Sequence, residues 1–248
     1  MILMYHNVDD ASGFNTVARD NLVAQCCFLK EQRVQVITLA QYVAQVRQGA
    51  STRHTAVLTF DDGYVGFRTV VLPVLETFEW PAALFVPVDW LGRYNDWDQS
   101  ISPIPLAILD WGALIQIAAH PLITVGSHGL SHRSLGRLKL GEVERELQIS
   151  KAVLEERLER PVDYFSFPFG QLKDIHPAAV HCLRSSGYEA ACSTRWSLAN
   201  TRRDLYRLHR IEVEPGDTIE RFAAKCTQYY HPRFFKQKIK DALYRLRH

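Results

Sequence analysis

Short apolar runs alternate with longer amphipathic stretches along most of this 248-residue chain. Residues 2–5, 34–37, 56–60, 83–86, 122–125, 164–167, 189–193 and 208–213 are rich in aliphatic, β-branched and aromatic side chains and read as strands. Residues 19–32, 39–48, 66–78, 111–119, 141–159, 177–186 and 217–228 carry apolar positions at helical spacing and read as helices. Such alternation predicts an α/β protein whose largely parallel sheet has its helices outside. Seven or eight strands in one chain of this size favour closure into a (β/α) barrel.

No Ser-, Gly- or Pro-rich linker divides the chain, so a single domain over residues 1–230 is expected. The one long irregular stretch, 89–110, carries Trp90, Tyr94, Trp97, Pro103 and Pro105. A connection of that length either lines a site or is a packed surface excursion. Residues 231–248 differ in character. Arg233, Lys236, Lys238, Lys240, Arg245 and Arg247 stand against one acid, Asp241, with apolar residues such as Phe234, Phe235, Ile239, Leu243 and Leu246 between them. This pattern predicts a basic amphipathic helix that either lies on an anionic membrane surface or packs on the barrel.

Composition narrows the class. A hydrophobic content of 47% and a charged content of 23% are those of a soluble globular protein. The net charge of +2 gives no field that argues for nucleic acid as a partner. Cys26, Cys27, Cys182, Cys192 and Cys226 contain no CxxC pair and are expected to be free thiols in a reducing compartment. The opening Met1-Ile2-Leu3-Met4-Tyr5-His6 lacks a basic region ahead of a long apolar stretch. The expectation is therefore a cytoplasmic protein, peripheral to the inner membrane if the tail binds it.

The chemistry concentrates at the ends of the expected strands. Val57-Leu58-Thr59-Phe60 delivers Asp61-Asp62 to the turn Gly63-Tyr64, and residues 122–125 lead into Ser127-His128-Gly129-Leu130-Ser131-His132. One Asp and two His supply three ligands for a divalent metal with open positions, and the second Asp is free to act as a base. That combination points to metal-assisted hydrolysis. Either motif alone is ordinary, since Asp before Gly is common turn chemistry. Pro168-Phe169-Gly170, His209-Arg210 and Tyr5-His6 also fall at or near strand ends, where the sites of parallel barrels gather.

Four motifs carry a resemblance: Met4-Tyr5-His6-Asn7-Val8, Thr59-Phe60-Asp61-Asp62-Gly63-Tyr64, Ser127-His128-Gly129-Leu130-Ser131-His132 and Phe167-Pro168-Phe169-Gly170. Over nearly its whole length the chain resembles the polysaccharide deacetylase family, carbohydrate esterase family four. Its Tyr-His-x-Val opening is similar to that of members acting on bacterial exopolysaccharides and surface glycans. The resemblance implies a distorted (β/α) barrel with about seven parallel strands. It implies Asp61 as general base and Asp62, His128 and His132 as ligands of zinc, or of another divalent transition metal such as cobalt or nickel. It also implies that the backbone N–H of Phe169, after Pro168, donates to the tetrahedral oxyanion.

Two departures stand out. Many members place an arginine shortly before the proline to orient the base, but here that stretch reads Phe165-Ser166-Phe167. Many also carry a late histidine as general acid, for which Leu208-His209-Arg210 offers His209. His209 is either that acid or a polar residue at a strand edge. Arg210 either orients Asp61 or meets the substrate, and His6 remains as an acid or substrate contact. The implied reaction removes acetyl from a GlcNAc-like amino sugar in a surface glycan, or in a lipid-linked or lipopolysaccharide intermediate. The alternatives are hydrolysis of a non-sugar amide and an inactive glycan-binding module.

Overall fold

The computed structural model describes residues 1–102, 104–227, 236, 237, 239, 241, 242 and 244. From β1 (Ile2–Tyr5) the chain passes through a short parallel pair, β2 (Asn7–Asp9) and β3 (Thr16–Ala18), into α1 (Arg19–Glu31). There follow β4 (Gln35–Val36), α2 (Leu39–Gln48), β5 (Thr55–Phe60), α3 (Leu72–Phe78), β6 (Ala82–Val86) and α4 (Trp111–Ala118). The rest is β7 (Ile123–Ser127), α5 (Leu140–Leu158), β8 (Tyr164–Ser166), α6 (Ala179–Ser185), β9 (Ala190–Cys192), β10 (Ile211–Glu212) and α7 (Ile219–Thr227).

The main sheet is parallel, in the order β10-β1-β5-β6-β7-β8-β9, with β4 paired to the start of β5. Its two edges meet. Leu208 bridges Cys192 of β9 in parallel register, and three residues later Ile211 pairs with Leu3 of β1. One segment, residues 205–213, therefore leans on β9 with its first half and on β1 with its second, and it closes a distorted barrel of seven strands.

Period-two alternation sorts the strand side chains. Ile2, Val57, Ala83, Phe85, Tyr164, Ala190, Cys192 and Leu208 share one buried cluster inside the barrel. Leu3, Tyr5, Leu58, Phe60, Leu84, Val86, Val125 and Phe165 belong to the larger cluster under the surrounding helices. There Tyr5 stacks on Phe60 at 5.0 Å, and burying a large apolar side chain of this kind contributes about 1.5–3 kcal/mol. The α2 residues Leu39, Tyr42, Val43 and Val46 join the inner cluster, so α2 plugs the end where the strands begin. A Thr38–Gln41 capping box starts that helix and Gly49, at φ 71°, ends it.

The predicted elements correspond to observed ones nearly one for one. The β2–β3 pair lies outside the apolar runs and was not foreseen. The helix expected over 66–78 is split, because Pro73 offers no N–H to the preceding turn and residues 67–71 wind as a π-helix ahead of α3. All five cysteines are free. No helix among the described residues is long and apolar enough to cross a membrane. The helix expected over 231–248 lies mostly outside the described residues. Within them, Asp241 is buried and accepts a hydrogen bond from Arg195 Nη2 at 2.5 Å.

Candidate active site

Strand alternation carries the first carboxylate inward. Thr59 and Asp61 continue the inner face of β5, at the end where parallel barrels assemble their sites. Asp62 then turns at φ 71° and Gly63 at φ 69°, a conformation costly for the aspartate and free for the glycine.

Arg210, continuing the inner face beyond Leu208, is fully buried and meets Asp61 with two prongs. Its Nη1 donates to Asp61 Oδ1 at 2.8 Å and its Nη2 to Oδ2 at 2.6 Å. The other guanidinium N–H groups reach Thr59 Oγ1 (3.1 Å), Ser166 Oγ (2.9 Å) and the Ser193 carbonyl (2.9 Å). Ser166 Oγ in turn donates to Asp61 Oδ2 at 3.2 Å. Burial pushes the Asp61 carboxyl up, but the Arg210 charge, with His128 beside it, outweighs burial and leaves it below its ordinary value. Asp61 is thus a rigid, ionised carboxylate. Of its two expected partners, the fully buried Arg210 is placed against Asp61. An arginine on the closing strand sits against Asp61, where the stretch before Pro168 has none.

Asp62 Oδ1, His128 Nε2 and His132 Nε2 converge at one buried point. Oδ1 lies 3.3 Å from the first nitrogen and 3.1 Å from the second, and all three ligand atoms lie within 4.8 Å of one another. His128 Nδ1 contacts the Ser166 carbonyl at 2.8 Å, which fixes its proton there and turns an Nε2 lone pair toward Asp62. Asp62 Oδ1 accepts no aligned hydrogen bond despite its burial. A carboxylate oxygen and two imidazole nitrogens facing one another away from water repel unless a cation lies between them or a ring takes up a proton. The donor set therefore fits a divalent metal. Burial opposes the Asp62 charge, yet contact with both rings holds its carboxyl well below the carboxylate range. Burial lowers His132 and outweighs Asp62, whereas for His128 the two aspartates outweigh burial and raise it.

The long connection 89–110 lines this site. Residues 93–95 and 106–108 run antiparallel, and Trp97 near the tip stacks on the His132 ring, 3.9 Å between centroids and 26° between planes. Trp90 meets Trp97 edge-on at 5.1 Å. On the other side, Phe169 sits at φ 61° in a tight turn where the Gly170 N–H donates to the Pro168 carbonyl at 2.7 Å. Thr194 Oγ1 pins the turn by donating to the Phe169 carbonyl at 2.6 Å. The Phe169 ring lies 5.2 Å from His132 and is 47% exposed, and its N–H has no protein acceptor among the described residues. Half-buried His6 lies just past β1 and is the smallest of the named influences that lower Asp61 and Asp62.

His209 is not brought to the site, which corrects its candidacy as general acid. Neighbours in an extended segment face opposite ways, so Arg210 pointing inward sends His209 outward. There its electrostatic neighbours are Asp204, Arg195 and Asp241, and its backbone N–H donates to Asn200 Oδ1 at 2.7 Å. The sequence reading also missed Ser166, which ties His128, Asp61 and Arg210 together, and Glu146. The one sequence signal for Glu146 was a charge inside the apolar stripe of α5.

Comparison with known proteins adds an independent line. The family profile described as polysaccharide deacetylase matches residues 48–191. The YxkH protein of Bacillus subtilis is 23% identical over 90% of this chain and 74% of its own length. The poly-β-1,6-N-acetyl-D-glucosamine N-deacetylase of Escherichia coli is 26% identical over 89% of this chain, which spans only 37% of that relative. Among solved structures, IcaB from Ammonifex degensii superposes with a TM-score of 0.77 at 22% identity, over 92% of this chain and 97% of that one. That likeness is one of fold.

Proposed function

The chain belongs to the polysaccharide deacetylase family, and we propose that it is a metal-dependent N-deacetylase of an N-acetylated amino sugar in a bacterial surface glycan or its lipid-linked precursor. The observation that carries this reading is the meeting of Asp62, His128 and His132 at one buried point, with ionised Asp61 beside it. One carboxylate and two imidazoles suit zinc, cobalt or nickel better than magnesium or calcium. The name of the Escherichia coli relative supports a sugar substrate. So do the exposed rings of Tyr94 and Phe169, which offer apolar surface to the C–H face of a pyranose.

When bound, the cation would acidify a water molecule and polarise the acyl oxygen. Asp61 takes the proton from the attacking water. Its Oδ1 gives one lone pair to Arg210 and keeps another, whereas Oδ2 is shared between Arg210 and Ser166. Arg210 holds that carboxylate in place, and the unengaged Phe169 N–H donates to the oxyanion as it develops. His6, an influence on both Asp61 and Asp62, serves either as the acid for the departing amine or as a contact to the sugar.

Acetate release from acetylated glycans and glycolipids, measured with chelated and zinc-restored protein, tests the reading. Metal-dependent release from sugars is the expected result. Hydrolysis of cyclic amides in preference to sugars would overturn the substrate, and full activity in chelator would overturn the metal.

A further inference from the structure

Two histidines four apart share a face when they sit on an α-helix, where the backbone's own hydrogen bonds hold their spacing. Residues 128–133 form no helix. Something outside the segment must hold His128 and His132 in register.

Glu146 stands in the buried stripe of α5 with Val143, Leu147 and Ser150, and is 2% exposed. A carboxylate buried there must be matched by donors. All its donors come from the arc bounded by the two histidines and from Arg133 just past it. Oε2 accepts the Leu130 N–H at 2.8 Å and the Ser131 N–H at 3.0 Å. Oε1 accepts the Ser131 hydroxyl and, at 3.3 Å, Arg133 Nη2. Gly129 turns at φ 82°, and a Cβ on it would come within 3.2 Å of Glu146 Oε2, so the carboxylate is seated against the backbone of the arc. One helical turn on, Ser150 Oγ accepts from Ser127 Oγ at 2.8 Å, and Ser127 Oγ accepts the Gly129 N–H at 3.1 Å. The carbonyls of the arc face the opposite way. Gly129 O accepts from Val88 N (3.2 Å), Leu130 O from Asp89 N (2.9 Å) and Ser131 O from Trp90 Nε1 (3.0 Å).

We propose that Glu146 is a positioning residue of the metal centre. It holds the amides of the arc while residues 88–90 hold its carbonyls, and so fixes the separation and aim of His128 Nε2 and His132 Nε2. The inference rests on the metal-centre reading above. It adds that the spacing of the two imidazoles is imposed by a side chain on α5.

Titration of the metal-free protein with cobalt(II), followed by the visible absorption of the bound ion, reads this without turnover. Loss of an outer partner of a metal ligand costs roughly 10–100-fold in metal affinity, and Glu146→Ala is expected to lose that much and to alter the cobalt spectrum. Glu146→Gln keeps one oxygen for the two amides and should bind cobalt like the wild type. Leu154→Ala, a core truncation on the same helix, should destabilise the fold while leaving cobalt affinity and spectrum unchanged. Hydrogen exchange over 129–133 should quicken in Glu146→Ala alone. If Glu146→Ala fails to fold, Glu146→Asp, too short to reach both amides, takes its place. Wild-type cobalt affinity in the Ala or Asp variant, or equal losses in Gln and Ala or in Leu154→Ala and Glu146→Ala, would overturn the proposal. Absence of stoichiometric cobalt binding by the wild type would instead remove the metal-centre reading beneath it.

Discussion

Replacing Arg210 by methionine keeps most of the side-chain volume and removes five N–H bonds, two of them to Asp61. Both partners are buried, Arg210 at 0% and Asp61 at 2% exposure. Stranding one charge of such a pair costs about 3–5 kcal/mol. For a chain of this size that corresponds to a fall in Tm of about 6–20 °C. The cost depends on pH. In the wild type the folded-state value of Asp61 lies below its ordinary 3.8, so it stabilises the fold above that value and the contribution is lost as pH falls through the folded value. Without Arg210, burial is the leading influence, opposed by His128 and His6, and the folded value is expected to rise above the unfolded one. The carboxylate then destabilises the fold at neutral pH, and protonation relieves the cost as pH falls through the raised value. The gap between variant and wild type should be widest near pH 7 and narrow by about pH 4. Thermal unfolding of chelator-treated protein at both pH values measures it. A gap equal at both, or a Tm within about 2 °C of the wild type at neutral pH, would refute the reasoning. Arg210→Lys restores the charge without the fork and should recover only part of the activity.

Asp61→Asn should keep the metal and lose nearly all turnover, whereas His128→Ala should lose both; metal analysis beside acetate release separates them, and near-normal kcat in Asp61→Asn would remove it as the base. His209→Ala should leave kcat and KM unchanged, and a large fall in kcat would return His209 to the chemistry. Residues 231–248 are expected to give weak, salt-sensitive attachment to anionic membranes, since each basic residue near such a surface contributes about 1 kcal/mol. Co-sedimentation with anionic liposomes, comparing the full chain with a version ending near Tyr230, decides it. Equal partitioning of both would dismiss the tail as an anchor, and loss of folding on truncation would favour a helix packed on the barrel.

The parts of this fold that were legible in the sequence are those where a local pattern meets a global constraint. Runs such as Ala56–Leu58 and Ala83–Val86 are apolar throughout because both faces of a barrel strand are covered, and the ends of such strands therefore mark the site. Asp61, Asp62, His128 and His132 could be read from those ends. The roles of His209 and Arg210 could not, since a one-residue change of phase exchanges inward for outward and the start of that strand is not marked in the sequence. Trp97 was visible only as a member of a long loop, because its stack on His132 depends on how residues 93–108 fold back. Ser166 and Glu146 were missed for a related reason. Their partners are backbone groups and side chains distant in sequence, and no spacing rule announces them.

The segment that closes the barrel also holds the last of the described strands in chain order. Asp61 waits 149 residues for Arg210, and Leu3 of β1 waits longer still for Ile211 of its second neighbour. Until residues 205–213 arrive, a nascent chain has open parallel edges at β1 and β9, both able to pair with the wrong strand. Asp61 also lacks until then the guanidinium that accompanies it in the interior. Edge protection and the partner of Asp61 thus come from one segment, through contacts of high sequence separation. On the proposed function, a ribosome-bound chain lacking β10 should release no acetate, and the onset of release would time the closure of the barrel.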